Sequence, residues 1–514
     1  MLRSKTRACW KPRGGRTARI AGCSWLKFRF QNKVTRKRAL IGLDAANLTF
    51  IRHHLDALPA LAGALGDGTV LPLRSIADYL AGAVWPTFYS GQLPGEHGIH
   101  HHVQWDAAGM RLKRVTNEWL STDAFWRFLD RRGLHTIAFD VPMVHAQPLR
   151  HGLEIMSWGS HDQFTPFEAF PASAGRAFLR QFGRHPMGTE ILVTKSRAEL
   201  RRIKKDLIEG AALKGRAIKY LAQTHPWDLL ITVFGECHRG GHLLWPRTAQ
   251  DDAHDLLEVY QAVDRAVGNL LSFFEAQDAP VTLFALHGMG FNTSQEHFMQ
   301  AVMERANAQF LQKKQRPPAS AAKLPLVRLL REHMPTVLQN RIAQAAPRWF
   351  RNWVISREVT SGLDLKNTPG LSVLADLSGY IRFSIRGREA SGWFNPGSPE
   401  LLAYTEWLED CFRSLRVPAS GAPLVREVIR TSSIYPGHAA HYLPDLIVVW
   451  NEIPPVSEIV SDLLGSFQSK IATGRSGNHR PDGFVVVPKR DEALISATAP
   501  QTFEDLAAFF VRGL

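Results

Sequence analysis

At 514 residues the chain can form one large α/β domain with insertions, or two to three ordinary domains. Its 45% hydrophobic and 21% charged residues suit a globular protein, and no apolar stretch approaches the ~18–20 residues of a membrane span, so a transmembrane helix is excluded. The net charge of +15 sits almost wholly in residues 1–38, which hold thirteen Lys or Arg and no Asp or Glu; the rest is near neutral, so nucleic-acid binding is not expected.

Taken in chain order, residues 1–37 lack the apolar core of a secretory signal and read as a basic, disordered tail. "RALIGLDAANL" (38–48) suits the first buried strand of a parallel sheet, closing on Asp44. "STDAFWRFLDRRGLHTIAFDVP" reads as a helix followed by a strand. "AELRRIKKDLIEGAALKGRAIKYLAQ" is a long amphipathic helix leading into "WDLLITVFG", and "AHDLLEVYQAVDRAVGNLLSFFEAQ" leads likewise into "PVTLFALHG". Repeated helix-to-strand units predict a doubly wound, mostly parallel α/β sheet flanked by helices. Residues 38–300 are expected to form the first part of that core, 301–372 a helical insertion, and 373–514 the second part. Cys9, Cys23, Cys237 and Cys411 form no CxxC pair, so a reducing compartment, the cytoplasm, is expected.

Ligand sites in such sheets lie outside the carboxyl ends of the strands. Asp44 follows "LIGL", Glu236, His238 and His242 follow "LLITV", and His287 follows "VTLFAL"; His479 lies in the loop "GRSGNHRPDG". Carboxylate and imidazole are the ligand types expected for a borderline divalent metal. Each piece alone has a plainer reading: an Asp closing a strand is usually a cap or turn, and "ECHRGGH" reads equally as a solvated loop beside Gly240 and Gly241. Their recurrence at successive strand ends favours a metal site.

In order along the chain, "GLDAA", "WPTFYSGQLPGEHGI", "ECHRGGH", "LHGMG" and "GNHRPDG" resemble the motifs of the alkaline phosphatase superfamily, in its type I phosphodiesterase/nucleotide pyrophosphatase branch. The resemblance implies an alkaline phosphatase-like fold and a metal-dependent hydrolase of small-molecule phosphoesters or phosphodiesters, with zinc, or else Mn²⁺ or Mg²⁺, held by Asp44, His238, His242, His287 and His479. Three positions depart from the pattern. His238 stands where the family has an Asp, Leu286 replaces the Asp before His287, and the nucleophile position falls at Ala81. Thr87, six residues after Ala81, and Ser75, six before it, are the replacement hydroxyls, and Glu236 is the candidate general base or extra ligand. A single-metal site using His238, His242 and His479 is one outcome of these changes. A catalytically inactive relative that binds a metal or an anion is the alternative. His97 is expected to be structural, and Trp85 lies beside the site motifs.

Overall fold

The computed structural model describes residues 37–160, 167–188, 195–246, 253–314, 365, 367–471, 473–493, 495, 500 and 502–512. The predicted basic tail, save residue 37, and most of the predicted insertion 301–372 lie outside the described residues.

Apolar runs that alternate between two faces build the centre of the molecule. In the strand Arg38–Leu43, Ala39, Ile41 and Leu43 point into one hydrophobic core while Leu40 points into another. The neighbouring strand Leu229–Phe234 divides the same way, with Leu230 and Phe234 on one side and Leu229, Ile231 and Val233 on the other. A sheet buried on both faces needs such uninterrupted apolar strands.

The sheet has eight strands, in the order Gly68–Arg74, Asp482–Pro488, Val281–Ala285, Arg38–Leu43, Leu229–Phe234, Thr136–Phe139, Leu153–Met156 and Glu168–Phe170. The five strands from Val281–Ala285 to Leu153–Met156 run parallel; Asp482–Pro488 and Glu168–Phe170 run against their neighbours. This is the expected doubly wound, mostly parallel α/β architecture. The helices Arg197–Thr224 and His254–Glu275 pack together over one face. The first begins with a reciprocal capping box in which Ser196 accepts from the Glu199 backbone and Glu199 accepts from Ser196.

The strands of the expected second core half, 373–514, are shared between sheets. Gly370–Val373, Gly379–Phe383, Val425–Arg430 and Leu446–Trp450 form a separate antiparallel four-stranded sheet. It has its own core against the helices Met299–Lys313 and Pro399–Arg413. In this segment Asp482–Pro488 is the strand that returns to the large sheet, between Gly68–Arg74 and Val281–Ala285. Among the described residues no helix is long and apolar enough to cross a membrane.

Candidate metal centre

Three strand ends and a short ladder bring the predicted residues together. Asp44 follows the central strand. His238 and His242 lie on the helix Glu236–Leu244, which opens directly after Leu229–Phe234. His287 follows Val281–Ala285, and His479 lies on the strand Gly477–Arg480, which pairs with Gly288–Phe291. "ECHRGGH" is therefore helical rather than a solvated loop, and its every residue is buried. Spacing i, i+4 puts both histidines on one helix face.

The two glycines of this helix cost roughly 1 kcal/mol each in helix propensity relative to alanine. Their return is close approach. A Cβ on Gly241 would lie 2.7 Å from Met289 Cγ, and one on Gly477 would overlap the Gly241 carbonyl oxygen. The two mutual clearances let the strand carrying His479 lie against the helix carrying His242. The Gly477 carbonyl accepts from His242 Nδ1 at 3.1 Å, and the His242 carbonyl accepts from the Ser476 N–H at 2.7 Å.

All five predicted ligands are buried, at 4% exposure or less. Ligand atoms of His238, His242 and His479 lie within 4.8 Å of one another, as do those of Asp44, His238 and His287. His238 Nδ1 is 2.7 Å from Asp44 Oδ2, and its Nε2 is 2.8 Å from His242 Nε2. His287 Nε2 is 2.9 Å from His479 Nδ1, and its Nδ1 is 3.9 Å from Asp44 Oδ1. Trp85 Nε1 donates to Asp44 Oδ1 at 3.0 Å.

These contacts determine where the ring protons sit. A carboxylate and a carbonyl only accept, so Nδ1 carries the hydrogen in both His238 and His242. In the neutral rings each Nε2 is then a lone pair, and the two lone pairs converge across 2.8 Å. A proton or a metal cation is needed between them. Burial, then the Arg475 charge and the neighbouring histidines, push the His242 pKa well below its ordinary value, which disfavours the proton. The nitrogen-rich donor set, with the carboxylate behind His238, suits zinc.

A small cavity of about 10 Å³, room for roughly one water, lies in front of this cluster. Its lining is Ala81, Gly82, Trp85, Met143, His238, His287, Asp376 and His479. Ala81 thus occupies the pocket wall where the family's nucleophile was expected.

Two of the predicted site residues lie outside the ligand groups and the pocket lining. Glu236 lies two residues before His238, about 200° away around the helix, and faces the other way. Its Oε1 meets His185 Nε2 at 3.2 Å, and it lies outside both ligand groups and the pocket lining. Thr87 lies on the helix Val84–Ser90 with its hydroxyl bound to His97 Nε2 at 3.1 Å, also away from the pocket. His97 takes the expected structural part: its Nδ1 accepts from the Ile99 N–H at 3.0 Å.

Sequence reasoning missed the support behind the helix. Lys214, from the long helix, donates to Asp140 Oδ2 at 2.6 Å and to the Val233 carbonyl at 2.7 Å, with both side chains fully buried. Asp140 also accepts from the backbone N–H groups of Trp158, Gly159 and Ser160. Arg239 donates to the Gly159 and Gly188 carbonyls. Burial pushes the Asp140 carboxyl up, but the Lys214 charge and hydrogen bond, with His185 and the Gly159 N–H, together hold it below its usual range. None of these residues belongs to a local motif. Asp376 also went unnoticed.

A family model described as type I phosphodiesterase / nucleotide pyrophosphatase matches residues 39–374. No curated protein sequence matches the chain. Among solved structures, phosphonoacetate hydrolase from Sinorhizobium meliloti 1021 bound to phosphonoacetate is similar at 12% identity and a TM-score of 0.49, covering 93% of this chain and 96% of that one. An inactive variant of murine ectonucleotide pyrophosphatase / phosphodiesterase 5 in complex with AMP shares 10% identity, with 93% and 94% coverage and a TM-score of 0.45. The human protein of the same name shares 11%, with 88% and 87% coverage and a TM-score of 0.44.

Proposed function

Since the chain belongs to the type I phosphodiesterase/nucleotide pyrophosphatase family, we propose that it hydrolyses small-molecule phosphoesters or phosphodiesters at one divalent cation held by His238, His242 and His479. Zinc is the preferred ion, ahead of Mn²⁺ or Mg²⁺, because Mg²⁺ favours an all-oxygen shell. The observation that carries this reading is the convergence of the His238 and His242 Nε2 lone pairs at 2.8 Å, each fixed by an acceptor at its own Nδ1.

Asp44 serves this site from behind the first ring of ligands. One oxygen holds the His238 Nδ1–H and the other holds the Trp85 indole N–H, which orients the imidazole and strengthens it as a donor. His287, against His479, completes the buried wall. A second ion would have to rely on Asp44 and His287, with leucine at 286 and alanine at 81 where the family supplies further oxygen ligands. We therefore favour one ion over two. When bound, zinc supplies Lewis-acid stabilisation of the charge that builds on the phosphoryl oxygens. Ala81 contributes no hydroxyl, so no covalent phosphoenzyme forms at that position.

The same two substitutions favour a second reading, a non-catalytic relative that binds a metal or an anion. The test is zinc content of the purified chain together with cleavage of bis(p-nitrophenyl) phosphate with Zn²⁺, Mn²⁺ or Mg²⁺. The hydrolase reading expects metal-dependent turnover that His242→Ala abolishes. Stoichiometric metal without turnover across a panel of mono- and diesters selects the second reading. Absence of bound metal, with no change of Tm on adding it, overturns the hydrolase reading and the metal-binding form of the second.

A further inference from the structure

The pocket in front of the histidines has one carboxylate in its lining, Asp376, which comes from the turn between two strands of the small sheet. It is held from two sides. Arg475 donates through one guanidinium nitrogen to the Asp376 carbonyl at 2.8 Å and through the other to Oδ1 at 3.1 Å; Asn478 Nδ2 also donates to that carbonyl, at 3.0 Å. Arg475 and Asn478 flank the same strand start that delivers His479. On the other side, Ser378 Oγ donates to the Asp78 carbonyl at 2.7 Å and Tyr380 Oη to the Tyr79 carbonyl at 3.0 Å. These bonds tie the turn to the segment that ends in Ala81. Asp376 Oδ2 faces His101 Nε2 at 3.9 Å.

One carboxylate is thus braced against both the ligand strand and the segment of the expected nucleophile. Bracing of this kind is what a reacting group requires, because small displacements cost large factors in rate. Alanine at 81 leaves room for a water beside Gly82 and Asp376, where a side-chain nucleophile would otherwise stand. We propose that Asp376 is the catalytic base that holds and deprotonates the attacking water in this space, an inference that rests on the hydrolase reading above. The water oxygen forms the new bond to phosphorus while one of its protons passes to the Asp376 carboxylate. The bond from phosphorus to the leaving oxygen breaks, both electrons stay on that oxygen, and solvent protonates it. Asp376 then returns its proton to solvent.

The test uses the full chain loaded with zinc, bis(p-nitrophenyl) phosphate as substrate, and the isosteric variant Asp376→Asn. Expected are a fall in kcat of about 10²–10⁴-fold, an unchanged KM, and zinc stoichiometry and affinity by calorimetry equal to the parent. A chiral phosphorothioate diester should be cleaved with inversion at phosphorus. Retention, which requires a covalent intermediate, overturns the proposal. So does an Asp376→Asn variant as active as the parent, while His242-dependent turnover leaves the hydrolase reading standing. Loss of zinc from Asp376→Asn also overturns it, assigning Asp376 as a ligand. A parent chain that binds zinc without turnover fails at the hydrolase reading itself.

Discussion

Trp85 donates its indole N–H to Asp44 Oδ1 at 3.0 Å, leaving the other carboxylate oxygen to His238 at 2.7 Å. The carboxylate that closes the first strand is thereby occupied by two donors. In the proposed site this makes it an orienting group for an imidazole, and its variants should behave accordingly. Asp44→Asn keeps an acceptor for His238 and should weaken zinc binding about 10–100-fold, in the range typical of partners behind a ligand. Trp85→Phe should weaken it less. Isothermal titration of zinc into the metal-free proteins measures both; complete loss of binding in Asp44→Asn would make Asp44 a direct ligand.

The three departures from the family pattern should be reversible as a set. The parent is expected to hold one zinc per chain, counted by elemental analysis. Installing His238→Asp, Leu286→Asp and Ala81→Thr together restores the oxygen ligands and should raise the count to two. Leu286 is fully buried beside apolar neighbours. Leu286→Asp alone should therefore lower Tm without metal, because an unpaired buried carboxylate is costly, and regain part of the loss when zinc is added.

Lys214 and Asp140 form a fully buried ion pair behind the ligand helix. Lys214→Met leaves the Asp140 charge without its cation and should cost about 3–5 kcal/mol of unfolding free energy. The double variant Lys214→Met/Asp140→Asn, which removes the charge and keeps an acceptor for the backbone N–H groups, should recover part of that loss. Urea unfolding of the metal-free proteins distinguishes the two, and a loss below about 1 kcal/mol in the single variant would mean the pair is not essential.

Acid should destabilise the fold through histidines kept neutral by burial. Burial pushes His97 down to about 3, and burial with the nearby His101 and Arg382 does the same to His100. In the unfolded chain both titrate near 6.5. Below that pH the unfolded state binds more protons than the native state, so stability is lost as pH falls from about 6.5 towards 3. The slope is at most about 1.4 kcal/mol per pH unit for each group. The lowered His185 and His242 add in the same direction. Urea midpoints at pH 7.5, 6 and 5 test this; a flat profile would mean that these rings take up protons at the same pH in the native and unfolded states.

The central sheet was legible because its strands carry a local signature, a short apolar run ending at a turn, and Thr136–Phe139, Leu229–Phe234 and Val281–Ala285 each follow a helix. The clustering of Asp44 with His238, His242, His287 and His479 was legible for a related reason: strand ends converge in a doubly wound sheet. Partnership between distant strands has no local signature. "DLIVVW" is as apolar as any strand of the large sheet, yet Leu446–Trp450 pairs with Gly379–Phe383 and Val425–Arg430 in the small one. Glu236 was misjudged because proximity in sequence was allowed to stand for proximity in space, whereas the helix turns it towards His185. Asp376 lies in "VLADLSG", which has no motif, and reaches the pocket only through the docking of the small sheet.

The strand order has a consequence for how the protein comes into being. Asp482–Pro488 lies inside the large sheet, between Gly68–Arg74 and Val281–Ala285, and the adjoining ladder carries His479. On the ribosome, the early strands must wait with an unfilled slot until residue 488 has emerged. Until then the third histidine of the cluster is missing as well. The eight-stranded sheet and the histidine cluster are therefore completed by the same late segment of the chain.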